Sequence, residues 1–388
     1  MTPSERETAC RWIRANRIPI PDDWTSTQQL QNAVTKLLAD RRVLFLGEAD
    51  HFIHEKADYR GLFAELVHSL RFDTFVEEFG RHDGKLVNSY LKTGDTKDLE
   101  RVTIYGYRGH QRLDRDDQPT GILKGTADGY PTEEFASEHK RLMERLRALS
   151  GPVAFHGFDV DASPGGAYAD LSVEKPALDR VEGETLPQEI ERLRSFVDAN
   201  EGSTDVQSLA DALAYIQWVN PAETYEAMNP AMAFRENVMY RHAEEAIASA
   251  QGHTTFWAHN IHLARDDEKL TSHYGAVGPG GDSLFSVGHY LHGRYPGDIA
   301  SIWMVTGGGE DLQPLPGLPQ KLDYPENSWN GLFREVGGNF LLPLTDDFPA
   351  RGSRLPFYHL YNTFVECALT DQCDAICFIN EVTPLQVA

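Results

Sequence analysis

Four short apolar runs in this chain end alike, and that repetition constrains the fold more than any other feature. Val43-Leu44-Phe45-Leu46 stops at Gly47-Glu48, with His51 close behind. Phe72 to Val76 runs into Glu77-Glu78, Pro152 to Phe158 into Asp159, and Thr254 to Ala258 into His259. Each run has the length of a buried strand, and stretches of helical periodicity separate them. Strands alternating with helices are the pattern of a parallel sheet covered on both faces. In such sheets ligands bind in the crevice outside the carboxyl ends of the strands. Four ionisable strand ends on one sheet edge therefore predict a site.

The remaining elements fit one α/β architecture. It has three layers: a mostly parallel central sheet of about seven strands, flanked by helices. Residues 1–42 read as helical, with Leu30, Val34, Leu37 and Leu38 on one face. A helix follows His51, with Tyr59, Leu62, Phe63, Leu66, Val67 and Leu70 along its apolar side. Others are expected at 84–92, 133–149, 187–199, 205–219 and 229–249. Irregular structure is expected after residue 92 in the polar stretch to Tyr130, with turns such as Thr93-Gly94-Asp95 and Arg112 to Thr120. Strands near 283–288, 299–306 and 374–380 would complete the sheet. Residues 161–250 read as a largely helical insertion over the cleft, and 1–388 as a single domain. Trp218, Tyr225 and Tyr215 in the insertion are candidates for lining a ligand, with core packing as the plainer role.

Composition narrows the partners. Fifty-nine acidic against 36 basic residues give a formal charge of −23. Such a surface disfavours nucleic acid and anionic membranes. A small molecule is the expected partner; oligomeric state is not legible. The first thirty residues contain no apolar signal-peptide core, and no stretch approaches eighteen apolar residues. Cys10, Cys367, Cys373 and Cys377 form no Cys-x-x-Cys pair, so ordinary thiols in a reducing cytoplasm are expected.

The strand-end residues suit acyl transfer to water. That chemistry needs a base near pH 7, for which a neutral His serves. It needs an acid to orient the ring, and a cation or donor to steady the oxyanion. Glu48 or Glu78, His51, His259 and Arg60 supply these parts. Because strand neighbours alternate faces, at most one of Glu77 and Glu78 is expected to be central. His54 and Glu55 have a plainer reading as the start of the next helix. Metal binding competes, since His51-x-x-His54 and His259-x-x-His262 are short pairs, but His-Glu-x-x-His is absent. No Gly-x-Ser-x-Gly elbow occurs; Ser283 lacks the second glycine. Gly307-Gly308-Gly309 is not followed by the helix that a phosphate loop requires.

LGEADHFIHEKADYR at 46–60 resembles the signature of the erythromycin esterase family. FVEEFG, HGFDV, ENVMYR, WAHNIHLAR, SVGHYL and DAICFINEVTP follow in order along the chain. The resemblance implies an ester or macrolactone hydrolase, acting on a macrolide or polyketide-like molecule through a His base, with no covalent intermediate and no cofactor. Carried over by motif, His51 is the base. Glu48 is its essential carboxylate, Arg60 the family arginine, Glu78 the second-strand acid and His259 a second functional histidine. Glu77, Asp159, His262 and His54 are expected at the substrate. Rivals are a biosynthetic acyl-transfer or ring-forming enzyme using the same site, and a metal-dependent hydrolase. Asp50 and Phe52 depart from the small or hydroxyl residues expected beside the family histidine, which leaves the substrate open.

Overall fold

The four apolar runs form adjacent strands in one half of a single sheet in the computed structural model, which describes residues 1–99, 102, 132–161, 186–200, 202, 204–219, 229–272, 285–312, 319–358 and 364–385. Among these residues the strands are β1 (Ile18–Pro19), β2 (Val43–Glu48), β3 (Phe72–Gly80), β4 (Ala154–Asp159), β5 (His253–His259), β6 (Thr271–Ser272), β7 (Ile299–Thr306), β8 (Gly309–Leu312), β9 (Pro319–Leu322), β10 (Phe340–Pro343), β11 (Leu355–Tyr358), β12 (Phe364–Cys367) and β13 (Ala375–Ile379). The main sheet has eight strands in the order β1-β10-β13-β7-β2-β5-β3-β4. From β13 to β4 every pairing is parallel; β10 and β1 close the other edge antiparallel. The carboxyl ends of β2, β5, β3 and β4 therefore lie side by side.

Alternation along these strands builds the three layers. Leu44, Leu46, Phe75, Trp257, Ile302 and Met304 face one way, against Leu62, Phe63, Leu66 and Val87 of the helices Glu55–His68 and Arg81–Thr93. Val43, Phe45, Val76 and Phe256 face the other way, against Met239 and Ala243 of the helix Asn229–Ser249 and Leu291 of Val287–Arg294. Farther along that face, Trp303, Val305 and Phe378 pack on the N-terminal helix Pro3–Asn16 and on Trp329–Val336. Strands buried on both faces read as continuous apolar runs, as these do.

Several expectations change. The strand expected near 283–288 is not one: residues 287–294 are helical, and Ser286 caps them, its side chain accepting from the His289 N–H at 3.2 Å. The short run SVGHYL fits either period, and the cap decides it. β3 does not stop before Glu77 but continues through Glu77 and Glu78 to Gly80. β1 and β10 are too short to stand out from sequence alone. Within 161–250, Thr204–Val219 and Leu186–Ala199 stack outward, but Asn229–Ser249 lies directly on the sheet. Part of the presumed cover is thus a flanking layer. Tyr215 is buried with Val160, Ala212 and Val238, a core position. Tyr225, the Trp218 side chain, Ser283 and the 112–120 stretch lie outside what is described.

Two glycines allow the close approaches on which the sheet edge depends. A Cβ on Gly84 would sit 1.9 Å from the Gly157 nitrogen, so the helix Arg81–Thr93 can press onto β4 only without one. A Cβ on Gly47 would sit 2.2 Å from Asn260 Oδ1.

Candidate active site

The site begins with strand parity. Glu48 ends β2 on the face that carries Leu44 and Leu46, the face covered by the helix Glu55–His68. That helix starts late enough to bring Arg60 inward in its second turn. The Arg60 guanidinium donates to Glu48 Oε2 at 2.6 Å through Nη2 and to Glu77 Oε1 through Nη1. It also lies 5.4 Å from the Trp257 ring centroid. Glu77 Oε2 meets His139 Nε2 at 3.1 Å. Glu48 Oε1 accepts from His51 Nδ1 at 2.6 Å. A chain of paired polar groups thus runs from His139 through Glu77, Arg60 and Glu48 to His51. Burial would raise the Glu48 carboxyl, but Arg60, then Lys56 and His51, more than offset it and hold it down to about 2. Lys56 Nζ also donates to the His51 carbonyl at 2.8 Å. The His51 side chain keeps 12% of its surface exposed, whereas Glu48 keeps 2% and Arg60 4%. The imidazole is the most exposed group of this chain of pairs.

A second network occupies the opposite face. Glu78, one residue on from Glu77, points the other way and accepts from Arg235 Nη2 at 2.7 Å. The same guanidinium grips Asp159 with Nε at 2.8 Å and Nη2 at 2.6 Å. His262 Nε2 lies 3.3 Å from Glu78 Oε1, and its Nδ1 is bonded to Glu236. Glu236 is itself held by the Val287 N–H at 2.8 Å, at the start of a helix where a carboxylate is favoured. Burial disfavours a charged His262 ring, but Glu236 and Glu78 outweigh it and lift the ring to about 10. Both Glu77 and Glu78, rather than one of them, are built into the site. Their charges are tied to separate cations on separate faces.

His259 joins the two networks. Its backbone N–H donates to Glu78 Oε2 at 2.9 Å. Its Nδ1 accepts from the Ile261 N–H at 3.3 Å, which leaves Nε2 to donate to the Ala49 carbonyl at 3.2 Å. Burial, then the neighbouring His51, push the ring down to about 4, so it is neutral near pH 7. The His51 and His259 ring centroids are 5.4 Å apart. Asn260 packs over Gly47, takes the Glu48 carbonyl on its N–H at 2.9 Å and donates through Nδ2 to the Met304 carbonyl at 2.9 Å. The His-Asn-x-His run therefore ties together the ends of β2, β3, β5 and β7. The His pairs diverge: His54 bonds to Glu138, away from His51. Among the described residues no group of three or more His, Cys, Asp or Glu is arranged to hold a metal ion.

The erythromycin esterase family model matches residues 173–382, more than half of the chain. The chain belongs to the erythromycin esterase family. The matched stretch carries Arg235, Glu236 and the His259–His262 motif; Glu48 and His51 precede it and join it through the contacts above. A curated relative, erythromycin esterase type II of Escherichia coli, is 28% identical over 163 residues, covering 40% of this chain and 32% of that protein. The matched stretch thus spans about a third of the relative's length. Among solved structures, a succinoglycan biosynthesis protein superposes with a TM-score of 0.71 at 15% identity over all of both chains. A Bacillus cereus protein gives 0.68 at 14% over 99% of each. An erythromycin esterase variant, EreC, in its open conformation gives 0.59 at 16%, over 94% of this chain and 97% of that one. These likenesses establish the shared fold.

Sequence reasoning missed Arg235, Lys56 and His139. Arg235 and Glu236 sit at the ENVMYR match within a helix expected only to cover the cleft. A charged pair beside that match, on an otherwise apolar helix face, is the signal that would have found them. Lys56 and His139 carry no local signal; only the packing of two helices brings them to Glu48 and Glu77.

Proposed function

We propose that this chain is a carboxylic-ester hydrolase that opens an ester or macrolactone in a macrolide or polyketide-like small molecule, with His51 as general base on water and no covalent intermediate. The reading is supported by family membership and carried by one contact, the 2.6 Å bond from His51 Nδ1 to Glu48. That bond fixes the tautomer in which Nε2 is basic, and the Glu48 carboxylate steadies the imidazolium once it forms. Nε2 takes a proton from water. The water oxygen bonds to the ester carbonyl carbon, and the carbonyl π electrons move onto oxygen. When the oxyanion collapses the ester C–O bond breaks, and the imidazolium returns its proton to the departing alkoxide. The products are an acid and an alcohol, joined in one molecule when a lactone is opened.

Positive charge for the oxyanion comes in this reading from Arg235, whose side chain is 15% exposed, and from protonated His262 behind it. Arg60 is assigned a positioning part. Its guanidinium is bound to two carboxylates, and its side chain is 4% exposed. His259 likewise positions the Ala49 carbonyl beside the His51 loop rather than polarising the ester. Asp159, Glu77 and His54 hold cations or neighbouring elements. No cofactor enters any step, and a single domain in a reducing cytoplasm is the setting proposed. The four cysteines are free and buried. No helix among the described residues is long and apolar enough to cross a membrane.

The test is a screen of macrolides and simple aryl esters, followed by turnover in ¹⁸O water. Hydrolysis puts the label in the new carboxylate. An unlabelled product of transferred or cyclised mass would replace this reading with acyl transfer. His51→Ala should lower kcat/KM by about 10²–10⁴-fold with the fold retained; near-full turnover would remove His51 from the role.

A further inference from the structure

The two residues that depart from the family pattern beside His51 both point into the protein. Asp50 is fully buried and Phe52 is 1% exposed. Phe52 packs against Leu312 and Leu385. Its carbonyl accepts from the N–H groups of those same residues at 3.2 Å each, and His54 N–H reaches the Thr383 carbonyl at 2.9 Å. Asp50 faces Asp311 of β8, also fully buried, and the two carboxyls share a hydrogen bond. The Tyr358 hydroxyl of β11 sits between them, 2.9 Å from Asp50 Oδ2 and 3.4 Å from Asp311 Oδ2. Asp50 Oδ1 accepts from the Phe52 N–H at 2.8 Å. Two fully buried carboxyls bridged by one hydroxyl repel when both are ionised, so a single proton shared between them is favoured.

We propose that Asp50 and Asp311 form a one-proton pair that clamps the loop bearing His51 to β8 and β11, and that the loop loosens when that proton is lost. This rests on the reading of His51 as the base; it makes Asp50 a positioning residue, acting through the loop. The groups facing Asp50 are Asp311, the Tyr358 and Tyr324 hydroxyls, and Lys56 at the start of the helix Glu55–His68. Among these described residues the cation is Lys56, which donates to the His51 carbonyl. Burial, then Asp311, raise the Asp50 carboxyl well above the usual carboxylate range. The raised group stabilises the fold at lower pH, and that contribution is lost as pH climbs through the shifted value. A pair needing one proton is therefore intact at low pH and opens once pH has climbed through the raised value.

Asp50→Asn supplies an N–H in place of the shared proton and should hold the clamp at every pH; Asp311→Asn does so from the other side, should the first variant fold poorly. Hydrogen exchange of the 49–54 amides, corrected for intrinsic rates, should rise about tenfold or more along the alkaline limb in the native protein and stay flat in either variant. The infrared intensity of protonated carboxyls at a given pH should be lower in either variant than in the native protein, over the background from Asp161 and Asp267, which burial raises to about 8 and about 7. kcat/KM on 4-nitrophenyl acetate should fall more steeply along the same limb in the native protein than in either variant, over the loss that the His262 titration near 10 imposes on all three. No loss of protonated-carboxyl intensity in either Asn variant, or the same loosening with rising pH in both, would overturn the clamp. Intact exchange and infrared signals with no turnover of any ester would sink the hydrolase reading and leave the clamp standing.

Discussion

Removing Arg60 would strip two buried carboxylates of their largest counter-charge, leaving Lys56 3.7 Å from Glu48. Breaking a buried pair from one side typically costs about 3–5 kcal/mol, far more than an exposed pair is worth. Arg60→Ala should therefore lower the urea midpoint sharply, and Arg60→Lys should recover little, because a single ammonium cannot fork between Glu48 and Glu77. Urea denaturation of both variants checks this; full recovery by Lys would show that charge alone suffices. His51→Ala should be close to native in stability, since the ring is partly exposed and its loss leaves Glu48 still paired with Arg60. The contrast separates the base from the residues that hold it. Sequence reasoning named both, but it gave Arg60 a part at the substrate because spacing along a helix cannot report what lies across from it.

At the scale of elements, the site is a set of strand ends stitched by backbone and by the first turns of helices. Gly47→Ala would drive a Cβ into Asn260, whose side chain bonds to the end of β7. We expect loss of activity together with about 1–3 kcal/mol of stability, the usual cost of overpacking. Parallel measurement of Tm and kcat/KM checks it. Glu236 binds the first turn of Val287–Arg294 and the His262 ring at once. In Glu236→Gln the imidazolium loses its larger counter-charge, so the His262 titration, followed by ¹⁵N NMR, should move down from about 10. An unmoved titration would place the source of the shift elsewhere. This helix read as a strand in the sequence, because eight residues are too few to display a period.

For the whole molecule, the two networks set opposite pH limits. His259 is held down to about 4 against an ordinary 6.5, so its contribution is complete above 6.5 and is lost as pH falls through 4. Glu48, at about 2 against 4.5, extends the loss at still lower pH. His262, raised to about 10, contributes fully below 6.5 and loses that contribution as pH rises toward 10; raised Asp50 acts in the same sense. The contributions of His259 and His262 therefore meet near pH 6.5, while the raised Asp50, Asp161 and Asp267 lose theirs as pH climbs from the ordinary aspartate value. His262→Gln should flatten the alkaline arm of the Tm profile. His259→Gln should flatten the acid arm between 6.5 and 4. Calorimetry across pH 3–10 would test the assignment, and an unchanged alkaline arm in His262→Gln would refute it.

The sequence by itself determined which residues end the strands and that the strands run parallel, because burial on both faces and strand–helix alternation are written as local patterns. It also determined that Glu77 and Glu78 face opposite ways, since a strand's period of two leaves no choice. Those two facts bring Glu48, Glu77, Glu78, Asp159 and His259 to one edge, and His51 follows from Glu48. Only the tertiary structure decided which charge each of them meets. Arg235 lies 157 residues from Glu78 and Asp311 lies 261 from Asp50. Pairings at that separation depend on how helices and loops settle on the sheet, and a buried ion is fixed by its partner across the packing, which no local period encodes.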